Sequence, residues 1–174
     1  GPTKAAWLRS KYPAREPDAA RITHEDQLRR LLRTEGVCSL EPAPARGVAP
    51  GWPKGVGEQA TGTHLWILDQ SGIPYILEMA AVASTLNDRV VKHTNLTGGL
   101  PAWAGGELWF AESTTCSVWI SGASGRYGPG TPEELADLVD VFRAFGYEAT
   151  SLGWDEQENR PARMYRAEGD DDDR

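Results

Sequence analysis

The sequence predicts an α+β fold: a mostly antiparallel sheet of four to six strands, with N-terminal helices and one capped helix at about 131–145 packed on the sheet. Three observations lead to this prediction. Apolar residues alternate with a period of two through the middle of the chain, an amphipathic helix with strong end signals follows, and one further strand pattern comes after it. A succession of strands followed by a helix favours an antiparallel α+β arrangement.

The chain has 174 residues, and we expect a single globular domain over 3–166. Its N-terminal part, 3–36, is predicted to be helical. Residues 41–62 form a loop rich in proline and glycine, and 63–166 form the α+β body. The last residues, 167–174, are an acidic tail that we expect to be disordered in isolation.

Two helices are predicted in the N-terminal part. The segment "TKAAWLRSKY" forms the first, and Pro13 ends it. Thr23 caps the second, and Gly36 ends it. The apolar face of this second helix consists of three leucines, Leu28, Leu31 and Leu32.

The segments of period two predict two hairpins and two further strands. "THLWILD" and "IPYILEMA" flank the turn "QSG", and "GELWFA" and "CSVWIS" flank "ESTT". "RVVKHT" predicts a strand between the two hairpins, and "YEATSLGW" predicts a closing strand.

The last helix has the clearest boundaries. Thr131 is its N-cap, Pro132 stands at its first position, Glu134 completes a capping box, and Gly146 is the expected stop. Its apolar stripe consists of Leu135, Leu138, Val139, Phe142 and Phe145.

Composition excludes several function classes. The formal net charge is −7, which argues against nucleic acid and leaves a basic protein partner open. No run of about 18 apolar residues predicts a membrane span, and no signal peptide is visible. Cys38 and Cys116 do not form a metal-binding pattern, so no metal site is predicted, and a disulfide between them stays open.

Two segments hold the residue types that bind nucleotides or phosphate: "VKHTNLTGGLPAWAGGELWF" and "SGASGRYGPG". His93 could act as a general base or donate to a ribose, or it could simply bond a loop carbonyl. Glu107 could orient a ribose or a nucleophile, or be a charge at the rim. The candidate catalytic residues are therefore His93 and Glu107. The candidate ligand-binding residues are Lys92, Asn95, Ser124, Arg126 and Tyr127.

The glycine-rich segment precedes the capped helix, where backbone N–H groups favour anions and Arg126 offers a fork for phosphate. It is neither a P-loop nor a dinucleotide fingerprint. We expect the two segments to be neighbours at one edge of the sheet. They would form a cleft there, lined by His93, Glu107, Arg126 and Tyr127. His64, beside Trp66 on the first hairpin, is expected to be structural.

The succession "LWILDQSGIPYILE", "KHTNLTGG", "AGGELWF" and "SGASGRYGPG", followed by a helix, resembles the C-terminal module of bacterial polymorphic toxins and effectors. This module is also seen in plant IQ-motif calmodulin-binding proteins. The resemblance covers roughly residues 63–146. It implies that the family's first histidine corresponds to His93 and its glutamate to Glu107. Its Ser-Gly-His-Tyr turn corresponds to Ser124 and the three residues that follow.

The sequence departs from the family's pattern at two places. Thr94 and Asn95 stand where the family has two serines, and Arg126 stands where it has a second histidine. A guanidinium stays protonated, so Arg126 preserves anion binding but cannot transfer a proton. The calmodulin-binding helix is missing, so calmodulin is not implied as a partner.

Two functions from different classes are favoured, and a third, a small-molecule-binding domain of a larger regulator, also remains open. The first is an effector domain that transfers a nucleotide-derived group to a macromolecular target, with NAD or ATP as a possible donor. The second is a non-catalytic immunity or accessory protein that neutralises a partner toxin. Both imply a protein partner and leave the oligomeric state open. Both also imply a cytoplasmic location or delivery by secretion as part of a longer protein.

Overall fold

The computed structural model describes residues 3–40, 62–110 and 117–163. The helices are α1 (Lys4–Lys11), α2 (Thr94–Thr97) and α3 (Pro132–Ala144). The strands are β1 (Cys38–Leu40), β2 (His64–Leu68), β3 (Ile73–Leu77), β4 (Ala104–Phe110), β5 (Ser117–Ser121), β6 (Glu148–Ser151), β7 (Trp154–Asp155) and β8 (Arg160–Pro161). Short 3₁₀ turns lie at Ala19–Arg21, Glu25–Leu28, Arg33–Glu35 and Ala81–Thr85.

Within the described residues, six strands form one sheet in the order β1-β3-β2-β4-β5-β6. All neighbours are antiparallel except β5 and β6, which are parallel. A parallel pair needs a crossover connection, and α3 provides it. A separate small hairpin consists of β7 and β8. The predicted α+β class with a mostly antiparallel sheet is confirmed.

The sheet separates two apolar clusters. On one face, α1 and α3 pack over Trp66, Leu68 and Tyr75, and four of the five residues of the predicted α3 stripe are buried there. Phe145 is half-buried against the same cluster. On the other face, Leu65, Ile67 and Tyr127 belong to the second cluster. In the described part of the chain, this second face is contacted by α2 and by residues in or near the 3₁₀ turns rather than by a long helix.

The capping prediction for α3 is correct in its main feature. Thr131 Oγ1 accepts a hydrogen bond from Glu134 N at 3.1 Å, and Pro132 opens the helix. The Glu134 carboxylate bonds elsewhere, because Oε2 accepts from Gly130 N at 3.0 Å. Gly146 follows the helix with a φ of 99°, a left-handed conformation that glycine adopts without steric cost.

The predicted second N-terminal helix is wrong. Its residues form the 3₁₀ turns Glu25–Leu28 and Arg33–Glu35, and Leu28 and Leu32 are exposed. The physical reason is tertiary. The carbonyls of Asp26 and Arg29 accept hydrogen bonds from the Asn95 side chain, and Leu31 N donates to Asn95 O. These bonds take the backbone groups that a helix would have paired internally.

The predicted strand "RVVKHT" is also wrong. Arg89 has a φ of 57°, and His93 lies at the N-cap of α2 rather than at a strand end. Asn95 Oδ1 accepts from Lys92 N at 2.9 Å, and Asn95 N donates to Lys92 O. This local side-chain bond favours a turn over an extended chain.

Several further predictions meet the described residues only in part. Both hairpins and the closing strand are present, although the connection 111–116 lies outside the described residues. Residues 41–61 of the predicted loop, the acidic tail and Cys116 also lie outside the described residues. The disulfide left open between Cys38 and Cys116 is therefore outside the described residues as well. His64 is buried and structural, with Nδ1 at 2.9 Å from Gly62 O. No helix of the described segments has the length and apolarity to cross a membrane.

Replacing Gly106 by alanine should strongly destabilise the fold. A Cβ at this position would lie 1.9 Å from Ser121 O and 2.9 Å from Trp66 Cζ2, so adjacent strands would have to separate. We expect the free energy of unfolding to fall by about 3 kcal/mol or more. Urea denaturation measures it. Gly72→Ala is the matched control, because a Cβ there meets no atom within 4 Å. Equal stabilities for the two variants would contradict the close strand contact.

Candidate functional site

The candidate site centres on His93, whose ring lies against β4. Its Nε2 is 2.8 Å from Gly106 O. A Cβ built on Gly105 would lie 3.2 Å from His93 Cδ2, so the absence of a side chain there admits the ring. The two glycines in "AGGELWF" therefore leave room for the His93 ring and provide the carbonyl that it contacts.

Glu107 lies on the same side of the sheet. It is opposite Leu65 in β2 and Ser121 in β5. Paired residues point to the same face, and Leu65 belongs to the cluster that contains Tyr127. Gly105, two positions earlier in β4, shares this face. Strand β4 thus places Glu107 on the face that the His93 ring contacts.

The glycine-rich segment lies next to this pair. Gly105 N donates to Tyr127 O at 2.9 Å, which joins the segment to β4. Arg126 is 4% exposed, and its positive charge acts on His93. Its Nη2 donates to Arg21 O at 2.8 Å. The structure therefore brings His93, Glu107, Arg126 and Tyr127 to one region, as expected.

His93 is held in its neutral form. Burial lowers its pKa to about 4, and the charge of Arg126 lowers it as well, against a raising effect of the bond to Gly106. A carbonyl only accepts hydrogen bonds, so Nε2 carries the proton and Nδ1 presents a lone pair. Among the described residues, Nδ1 has no hydrogen-bond partner. The ring thus offers a buried acceptor.

Asn95 has a structural role. Its Oδ1 accepts from Lys92 N, and its Nδ2 donates to Asp26 O at 2.7 Å and Arg29 O at 3.0 Å. These bonds use both of its amide hydrogens and its oxygen. The predicted ligand-binding side chain therefore binds the chain's own backbone.

Ser124 and Tyr127 also bond within the fold. Ser124 Oγ accepts from the backbone N–H groups of Arg126 and Tyr127 and shapes the turn. The Tyr127 hydroxyl donates to Leu100 O at 2.8 Å and lies 2.9 Å from Thr97 Oγ1. Burial raises the pKa of Tyr127, so its phenol stays protonated.

Lys92 forms an ion pair with Asp88. Its Nζ lies 3.7 Å from Asp88 Oδ2, and the residue is buried. Asp88 Oδ2 also accepts from Gln27 Nε2 at 3.3 Å. Lys92 therefore belongs to the contact between the N-terminal segment and residues 87–95.

The structure adds residues that the sequence analysis missed. Arg15 exchanges backbone bonds with Ala102, and its guanidinium donates to Gly128 O at 2.7 Å and Glu134 Oε1 at 2.6 Å. Arg15 thus joins the chain at Ala102 and at Gly128 to Glu134 in the first turn of α3. No local pattern around Arg15 signals this, because its partners lie about a hundred residues away in sequence.

Thr94 and Ser121 were also missed. Thr94 Oγ1 is buried and has no hydrogen-bond partner among the described residues. Ser121 faces Glu107 across the β4–β5 pair, and its Oγ donates to Ala162 O at 3.0 Å. The sequence showed Thr94 as a departure from the family's pattern. It gave no sign of the strand register that places Ser121 opposite Glu107.

The expected open cleft is absent from the described part of the chain. His93, Glu107, Arg126 and Tyr127 are each at most 4% exposed. The four residues form a closed polar cluster beneath the N-terminal segment instead. In those same described ranges, no group of three or more His, Cys, Asp or Glu side chains is arranged to hold a metal ion.

No protein-family model matches this chain, and neither does any of the curated proteins or solved structures with which it was compared.

Stability should depend on pH through His93. The unfolded histidine, with a pKa near 6.5, binds a proton between pH 6.5 and 4, whereas the folded one stays neutral down to about pH 4. Stability is therefore present above pH 6.5 and falls as the pH drops through this window, by about 1.4 kcal/mol per pH unit for this residue.

His64 adds a slope of the same sign, because burial lowers its pKa to about 4 too. Replacing His93 by glutamine should roughly halve the slope of unfolding free energy between pH 6.5 and 4.5. Urea unfolding at several pH values measures this. An unchanged slope in the variant would show that His93 is protonated in the folded protein.

Proposed function

We propose that this chain is an effector-type domain that transfers a nucleotide-derived group to a macromolecular target, with the closed cluster around His93 as its donor site. The observation that carries the proposal is the buried Nδ1 of His93, which has a lone pair and no partner in the described part of the chain. Unsatisfied buried polar atoms are costly in a fold and are concentrated at functional sites.

A second buried atom supports a ligand. Thr94 Oγ1 follows directly in the chain and also lacks a partner within the described ranges. A buried acceptor and a buried hydroxyl on consecutive residues have the hydrogen-bonding capacity that the hydroxyl groups of a ribose require, since these both donate and accept. With its low pKa, His93 serves as a hydrogen-bond acceptor for the ribose rather than as the main base at neutral pH.

Arg126 supplies the charge for a phosphate. It is always protonated and is nine-tenths buried, so its attraction for an anion is weakly screened. Its Nη2 now donates to the carbonyl of Arg21, an oxygen acceptor that a phosphate oxygen could replace.

Glu107 is the residue that we assign to the attacking group. It shares the face of His93 and is wholly buried. With NAD as donor, the bond between the ribose carbon and nicotinamide breaks, and nicotinamide leaves with the electron pair. The nucleophile of the target bonds to that carbon, and its proton passes to the Glu107 carboxylate.

The first test is ligand binding. NAD, ATP or ADP-ribose should raise the melting temperature of the purified chain, because a ligand that binds only the folded state stabilises it by mass action. Arg126→Ala should weaken binding at least tenfold in calorimetric titration. Arg143→Ala is the matched control, since it removes an exposed arginine whose bonds are to Ala149 O and Asp140.

Folding of both variants is checked by circular dichroism, and His93→Gln serves as a second site variant. The proposal is overturned if no nucleotide binds at millimolar concentration. It is also overturned if the two arginine variants bind equally well.

The second test is growth. Expression of the chain in bacterial cells should arrest growth, and Glu107→Gln should relieve the arrest, because a neutral amide cannot accept the proton of the nucleophile. Glu158→Gln, which changes an exposed turn residue, should stay toxic. Colony counts after induction measure the effect. Equal toxicity of the two variants would remove Glu107 from the mechanism.

One observation favours the alternative, a non-catalytic immunity or accessory protein. Trp119 is 46% exposed although it stands in the middle of β5. Exposed tryptophans are frequent anchors of protein interfaces, and the net charge of −7 suits a basic partner. This function requires that the chain be harmless on expression. It also requires that the chain co-purify with a toxin encoded beside it.

A further inference from the structure

The N-terminal segment from residue 16 to residue 31, here called the strap, crosses the candidate site. Its carbonyl at Arg21 accepts from Arg126 Nη2, and its carbonyls at Asp26 and Arg29 accept from Asn95 Nδ2. Leu28 lies over Gly99, since a Cβ on that glycine would be 2.7 Å from Leu28 Cδ2. The strap thus covers the site from the glycine-rich segment to α2.

The two ends of the strap are held by contacts that do not involve Arg126 or Asn95, the two side chains that donate hydrogen bonds to the strap. At the N-terminal end, Arg15 pairs with Ala102 and Glu134. At the C-terminal end, Gly36 closes a 3₁₀ turn and lies near Ile76 and Ala80. The segment between these points is anchored independently at both sides.

The strap itself has the features of a segment of low local stability. Its only helical turns are the two 3₁₀ turns at Ala19–Arg21 and Glu25–Leu28. Gln27 and Leu31 are its only buried side chains. Few of its own side chains are therefore buried, and lids are drawn from regions with few buried contacts.

We propose that the strap is a lid: it closes the site in the ligand-free protein and lifts to admit an anionic nucleotide. This inference rests on the proposed function. In the closed state the Arg21 carbonyl accepts a hydrogen bond from Nη2 of the guanidinium that we assign to the phosphate. Opening exchanges this neutral acceptor for a charged one, and charge-assisted hydrogen bonds are the stronger kind. The affinity observed for the ligand is then reduced by the small fraction of open molecules.

A disulfide tether tests the lid directly. A Cβ on Gly98 would lie 3.4 Å from Arg30 Cβ, close to the spacing of about 3.8 Å found in disulfides. Gly98→Cys with Arg30→Cys, in a chain whose native Cys38 and Cys116 are replaced by serine, would lock the strap to the end of α2. The oxidised and reduced forms of one protein are then compared. Both forms carry the same substitutions, so a difference in binding comes from the disulfide alone.

A second pair provides the matched control. A Cβ on Gly36 would lie 3.8 Å from Ala80 Cβ, outside the strap. Gly36→Cys with Ala80→Cys places its tether at the fixed end, and both tethers replace a glycine of positive φ. Binding of ADP-ribose to each protein is measured with and without dithiothreitol.

We expect oxidation of the strap tether to weaken ADP-ribose binding at least tenfold, with recovery on reduction, and oxidation of the control tether to have no effect. Equal binding by the oxidised and reduced strap tether would overturn the lid while leaving the nucleotide site intact. Failure of every form to bind, the untethered chain included, would overturn the proposed function.

Amide hydrogen exchange tests the lid without a ligand. Leu31 N donates to Asn95 O at 2.8 Å, so it exchanges only when the strap leaves α2. A lid predicts that this amide exchanges at least a hundredfold faster than that of Ile67 in central strand β2. If the two amides are equally protected, the strap opens only with global unfolding and the lid is overturned, whatever the binding result.

Discussion

The buried carboxamide of Asn95 is the interaction on which the arrangement of this protein's candidate site depends. It accepts from Lys92 N and donates to the carbonyls of Asp26 and Arg29. The first bond bends the chain so that His93 meets β4, and the other two hold the strap over it. Because all three partners are backbone groups, the Asn95 side chain links two segments of the chain through their main chains.

The second constraint is the close approach allowed by the two glycines of β4. Gly105 gives room to the His93 ring, and Gly106 lets the backbone of Ser121 and the ring of Trp66 come near on either side. Trp66 Nε1 also donates to Glu107 O at 3.1 Å. The helix-covered face and the strap-covered face are therefore coupled through this part of β4. A change in the packing of the core would reach the histidine directly.

Electrostatics at the site follow from burial. His93 is neutral, and the permanently charged guanidinium of Arg126 lies near it in a region that burial keeps poorly hydrated. The strap carbonyl at Arg21 accepts a hydrogen bond from Arg126, and the residues of the cluster are at most 4% exposed. Buried charge, a neutral acceptor and a removable cover thus support one another in the proposed donor site.

Elements determined by local chemistry were predictable from the sequence. The hairpin of β2 and β3, the hairpin strands β4 and β5, and α3 with its Thr131 cap follow from alternation, turn residues and capping, which act over a few residues. The sequence also predicted that the segments containing His93, Glu107 and Arg126 are neighbours. It did not predict that these three side chains are buried. Nothing near any of them in sequence indicates the strap.

Only the tertiary structure determined the backbone conformation of the segments at 23–36 and 89–97. Leucine spacing predicted a helix in the first and valines predicted a strand in the second, yet bonds between the two segments, through Asn95, override both preferences. A helical or extended tendency is worth a few tenths of a kcal/mol per residue, about the same as or less than one buried hydrogen bond. The sequence by itself determined the two hairpins, the closing strand, the capped helix and the residue types of the candidate site. Long-range hydrogen bonds determined how that site is covered.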